Sequence, residues 1–143
     1  MRSNAAFIGA VVALAVILAI EVWLFATYLP GYPPLALFLD MGMIMKMVAI
    51  VIILLFVVAL IGSLTGEAAL TWVTSGLAVI FGLLGAAYGE MIIQMGIKYA
   101  GGPVRFAVTA PSHAESLALL GLGLLVAVVS LALLRMRRRP AKT

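Results

Sequence analysis

Cysteine is absent from this sequence, histidine occurs once, and only 10% of the residues carry a charge. Without thiols there are no disulfides, no thiolate metal sites and no cysteine nucleophile. The lone His113 cannot supply both axial imidazoles of a bis-histidine haem, and no set of histidine and carboxylate residues has zinc-like spacing. A glycine-rich phosphate loop is also missing, as is any Ser/His/Asp set that could be assembled around a membrane face. The expectation is therefore a protein that is not an enzyme and needs no cofactor.

What fills the chain instead is hydrocarbon. Of its 143 residues 66% are hydrophobic, and the mean hydropathy is +1.29. Four continuous apolar runs, at 5–28, 43–62, 68–95 and 114–136, each reach the roughly 20 helical residues that cross a bilayer core. A membrane β-barrel needs short alternating segments, and these runs do not alternate. The sequence predicts an all-α integral membrane protein, one domain over 1–143 with four transmembrane helices. Residues 1–28 resemble a signal peptide only superficially. The run is too long, lacks a small-x-small cleavage site and contains Glu21, so it is expected to be a retained first span.

The net charge of +4 is concentrated in the last nine residues, in Arg135, Arg137, Arg138, Arg139 and Lys142. Beside a membrane helix such a cluster reads as a positive-inside anchor touching anionic lipid, not as a nucleic-acid site. With Arg2 it puts both termini in the cytoplasm of a multi-pass protein of the cell inner (plasma) membrane, N-in/C-in. Lys98 and Arg105 in the second outer loop weigh the other way.

Between the runs, Ser3-Asn4 is expected to cap the first helix, Leu35 to Asp40 to form an interfacial loop, and Gly62 to Glu67 to form a short turn. Trp23, Tyr28 and Tyr32 should mark the outer aromatic belt. The loop from Lys98 to Ser112 contains Gly101-Gly102-Pro103 and Ala110-Pro111, both expected as turns, with His113 an interfacial side chain.

Gly82, Gly85 and Gly89 recur at helical spacing on one face of span three, which lets another backbone approach. Span four offers a matching stripe in Ser116, Gly123, Ala127 and Ser130, with Gly121 beside it. The polar residues near the outer end, Glu21, Lys46, Glu90 and Glu115, are candidates for ion handling or partner contact, since charge inside an apolar segment is costly. Each has a plainer reading too. Glu21 is protonated or paired with Lys46, Glu90 shares a helix face with Gln94, and Ser112-x-x-Glu115 forms a capping box. Met41, Met43, Met45 and Met47 are either adaptable packing residues or thioether ligands for Cu(I).

The run Gly82-Leu83-Leu84-Gly85-Ala86-Ala87-Tyr88-Gly89, followed after a loop by Ala110-Pro111-Ser112-His113-Ala114-Glu115-Ser116-Leu117 and Gly123-Leu124, resembles the paired helices of the MotA/TolQ/ExbB proton-channel family. The resemblance covers the C-terminal half of the chain. It implies a subunit of a proton-motive-force-coupled stator or energiser complex, oligomerising around a partner helix, with Glu115 as the retained polar position of the ion path. The family's two pathway threonines fall at Ala86 and Leu120, and its cytoplasmic domain has no counterpart in the short turn after span two. The expected function is thus a small membrane subunit that packs with other subunits, with copies of itself and with lipid, and does not conduct alone. A purely structural assembly subunit and a copper-handling membrane protein are the alternatives.

Overall fold

The computed structural model describes residues 2–138, so Arg139 and Lys142 of the basic cluster lie outside the described residues. Every regular element among them is a helix: α1 (Arg2–Tyr28), α2 (Pro34–Asp40), α3 (Met43–Thr65), α4 (Ala68–Tyr99) and α5 (Phe106–Arg138). Four of these, all but α2, are long and apolar enough to cross a membrane. The chain is thus a multi-pass membrane protein by the length and composition of its helices.

Several helix ends differ from the sequence expectation, each for a local reason. Helix α1 already includes Ser3 and Asn4, so they do not cap it; the Asn4 side chain instead accepts a hydrogen bond from Arg135 Nη2 at 3.0 Å. The Arg135 guanidinium also lies 4.1 Å over the Phe7 ring, tying the start of α1 to the end of α5. The expected interfacial loop is helical, because Pro34 occupies the first helical position, where its missing N–H costs nothing. Helix α3 runs through Gly62 and Ser63 and stops only at Gly66, whose φ of 86° is left-handed and whose N–H returns to the Gly62 carbonyl at 3.0 Å. Arg137 Nε lies 3.7 Å from where a Gly66 Cβ would stand, putting a cation beside the carbonyl end of α3.

Helix α5 begins at Phe106, not near Ala114. Pro111 sits inside it, close enough to the start that it removes a single early hydrogen bond. Ser112 and Glu115 are therefore helix-interior residues, and the capping box does not form.

Helix α5 is the axis of the bundle. Each of the four buried clusters includes one of its residues: Ala114 with Leu24 and Leu37, Leu119 with Met41, Met45 and Ala49, Leu124 with Leu14 and Ile17, and Val126 with Ile52, Ala59 and Ala78. Helices α3 and α4 pack on it and on each other, whereas α1 packs chiefly on α5 alone. The start of α1, the end of α5 and the α3–α4 turn share one end of the bundle, the basal end; α2 and the α4–α5 loop share the apical end.

Candidate functional site

The glycine face of α4 meets α5 at backbone distance. A Cβ on Gly82 would lie 2.8 Å from the Leu119 carbonyl oxygen and 3.4 Å from the Gly123 Cα. One on Gly123 would collide with the Ala78 carbonyl, and one on Gly89 with Ser116 Oγ. Gly85 faces side chains instead, Leu119 Cδ1 at 2.8 Å and Val48 Cγ1 at 3.0 Å. Gly121 turns toward α1, 3.4 Å from Ile17 Cγ2. With no side chain between them, the two helices close the seam completely around Leu119.

Above this seam, at the apical end, the polar residues are organised in pairs. Glu90 Oε1 accepts a hydrogen bond from His113 Nδ1 at 2.8 Å, joining α4 to α5. The His113 ring stacks on Phe106 (centroids 5.2 Å apart), Phe106 meets Tyr28 edge-on at 5.0 Å, and Tyr28 meets Trp23 at 5.5 Å. This relay of rings carries the tie from α4 across α5 to α1. Tyr32 donates to the Asp40 carboxylate, which closes the α1–α2 connection over α2. That bond, which is lost when the phenol ionises, raises the Tyr32 pKa above the ordinary tyrosine value.

Lys46 does not pair with Glu21. Its Nζ donates to the Leu39 carbonyl at 2.6 Å, at the C-terminal end of α2. Glu21 is on α1, which does not pack appreciably on α3, so the ammonium and the carboxylate are held apart. One Glu21 oxygen, Oε1, is buried without a hydrogen-bond partner.

The methionine run is divided. Met41 and Met45 are buried together, at 5% and 6% exposure, while Met43 is 81% and Met47 61% exposed. Spacing of two residues on a helix turns successive side chains to nearly opposite sides, so the four thioethers do not converge. Among the described residues there is also no group of three or more histidine or carboxylate side chains placed to hold a metal.

Between the first turns of α3, the second half of α4 and the first turns of α5 lies a cavity of about 710 Å³. Met43, Ile44, Ile92, Ile93, Ile97 and Val108 supply its apolar walls. Glu115, Ser112, Thr109 and Tyr88 are its polar lining. Glu115 is half-buried and has no hydrogen-bond or ion-pair partner among the described residues, although it lies within electrostatic range of Asp40 and Lys46.

A second polar group, at the basal end, is one that the sequence shows only as scattered hydroxyls. Ser75 Oγ lies 2.7 Å from Ser130 Oγ, Ser130 Oγ donates to the Val126 carbonyl, and Ser63 Oγ reaches both the Ala59 carbonyl (2.7 Å) and the Ser130 carbonyl (2.8 Å). Since the Ser130 proton is committed to Val126, Ser75 is the donor to Ser130. Thr71 and Thr74 beside them bond back to Glu67 and Leu70 at 3.0 and 2.7 Å. All five hydroxyls are buried.

Between the two polar groups the buried side chains are apolar. From Ser116 to Ser130, about 20 Å along α5 at roughly 1.5 Å per residue, the buried residues of α5 are Leu119, Gly121, Gly123, Leu124, Val126 and Ala127. The facing buried residues are Gly85, Gly82 and Ala78 on α4 and Ala49, Ile52 and Ala59 on α3. Ala86 and Leu120 are partly buried at the same level and add only hydrocarbon.

No family model matches the chain, and neither does any curated protein or solved structure.

Proposed function

We propose that this protein is a small membrane subunit that packs into a larger inner-membrane assembly and does not conduct ions by itself. The observation that carries this reading is the apolar slab between the apical carboxylates and the basal hydroxyls. Proton transfer needs polar side chains or water throughout. Here Leu119 packs against Gly82 and Gly85, 2.8 Å from where a Cβ on either would stand. The likeness to the helical core of proton-motive-force-coupled stator and energiser proteins then describes how the two helices pack, not what the chain transports.

Uncovered glycines support assembly with a partner. Gly9 on α1 and Gly76 on α4 have nothing within 4 Å of where a Cβ would stand. Glycine inside a helix costs up to about 1 kcal/mol relative to alanine unless it admits a close neighbour. An apolar α1 that leans on α5 alone leaves its other faces to lipid or to another subunit. In this reading Arg135 and Arg137, at the basal end with the start of α1, lie on the cytoplasmic side.

The test is reconstitution of the purified protein into liposomes with an imposed pH gradient, together with native mass spectrometry in mild detergent. The gradient should persist for the wild type and for Glu115→Gln alike, and the native mass should exceed that of one 15.0 kDa chain. Proton flux abolished by Glu115→Gln overturns the reading, as does a protein that is strictly monomeric and recovers no partner.

A further inference from the structure

The geometry points to the apical cavity as a binding site for a lipophilic monovalent cation, a quaternary onium or a protonated hydrophobic amine, with Glu115 as its counter-charge. This goes beyond the role of an assembly subunit and does not depend on it.

Three observations lead there. The first is the state of the charges. Glu90 is taken by His113 and Asp40 by Tyr32, while the Lys46 ammonium is drawn to the Leu39 carbonyl. Glu115 alone lines the cavity as a carboxylate with no partner among the described residues. The formal charges of Glu115, Asp40 and Lys46 sum to one negative charge, which a single monovalent cation balances.

The second is the wall. An ion with a tight hydration shell gains nothing from Ile92, Ile93, Ile97 and Val108, and loses its water to them. A cation sheathed in hydrocarbon loses little hydration and buries its own apolar surface. Tyr88, also in the lining, adds an aromatic ring, a group that attracts such a charge. A neutral acyl chain would suit the walls equally well but would cover Glu115 and leave it uncompensated.

The third is size and access. A volume of about 710 Å³ falls within the range of roughly 300–1,000 Å³ typical of sites for drug-sized molecules. Met43, Ile44, Ile92 and Val108 are all exposed, so the cavity opens on the surface of the bundle and a ligand can enter from the side.

Binding of tetraphenylphosphonium to the full chain in nanodiscs, measured by calorimetry with tetraphenylmethane as the neutral isostere, tests the proposal. The expected result is saturable binding near one per chain, no saturable binding of the neutral isostere, and at least about tenfold weaker affinity in Glu115→Gln. Gly96→Phe provides a test that does not touch the charge. Gly96 lines the cavity and a Cβ there meets nothing within 4 Å, so the ring should fill the site without disturbing the helices and abolish binding. Glu90→Gln, outside the lining, should bind as the wild type does. Absence of saturable binding to the wild type, equal binding of the neutral isostere, or unchanged affinity in a folded Glu115→Gln or Gly96→Phe protein each overturns the proposal.

Discussion

Glu90 Oε1 and His113 Nδ1, 2.8 Å apart, are hydrogen-bonded between α4 and α5, and His113 also stacks on Phe106. The pair is half-exposed, so it should contribute modestly, about 0.5–1 kcal/mol. His113→Phe keeps the ring and removes the bond, while Glu90→Gln keeps the shape and removes the charge. Unfolding free energies of the two single variants and the double variant should show a coupling of that size. Purely additive losses would mean the two side chains stabilise their helices separately.

The glycines should rank by what surrounds them. Gly123→Ala and Gly82→Ala drive a methyl against backbone carbonyls that cannot swing aside, and each should cost about 1–3 kcal/mol. Gly85→Ala meets only the ends of the Leu119 and Val48 side chains and should cost less, whereas Gly85→Leu should separate α4 from α5. Gly76→Ala, in open space, should be neutral or stabilising by up to about 1 kcal/mol. A thermal melt series in detergent reads the order directly; equal effects at Gly123 and Gly76 would contradict the seam.

Ser130→Ala removes the acceptor of Ser75 while leaving the Ser130 carbonyl available to Ser63. Hydrogen bonds between membrane helices average about 0.6 kcal/mol with a ceiling near 1.7, and the loss should fall in that range. Once Ser75 is alanine, the same change should cost measurably less. An identical cost in both backgrounds would show that Ser75 gains nothing from Ser130.

Tyr32 should be late to ionise. Its folded pKa is raised by the bond to Asp40, so whatever stability the bond gives is fully present below the unfolded value near 10 and is lost as pH climbs through the folded value. Difference spectra of tyrosinate absorbance between wild type and Tyr32→Phe isolate its titration, which Asp40→Asn should shift to lower pH. A Tyr32 titration unmoved by Asp40→Asn would remove the carboxylate as the cause.

The spans were legible because an uninterrupted apolar run of bilayer length has few other uses, and Gly82, Gly85 and Gly89 share a face by periodicity alone. Helix ends were harder. Pro111 reads as a break, yet so near the start of α5 it removes only one bond, and Phe106 is held by Tyr28 and His113. Gly62 and Ser63 look like a turn, but nothing in the backbone obliges them to leave the helix until Gly66 takes a positive φ. Contacts between distant residues were not legible. That Ser63 reaches Ser130, or that Lys46 turns to Leu39 and not to Glu21, depends on which helix faces meet, and local composition does not encode this.

The placement of α5 at the centre dictates the order of biogenesis. The helix that joins every buried cluster follows the other four in chain order, so α1, with no other broad surface to rest on, must wait as a separate apolar rod while α3 and α4 are made. Before Phe106 is made only the α3–α4 pair can pack, so a chain stalled there presents the quality-control machinery with one helix hairpin and a loose α1 instead of a bundle.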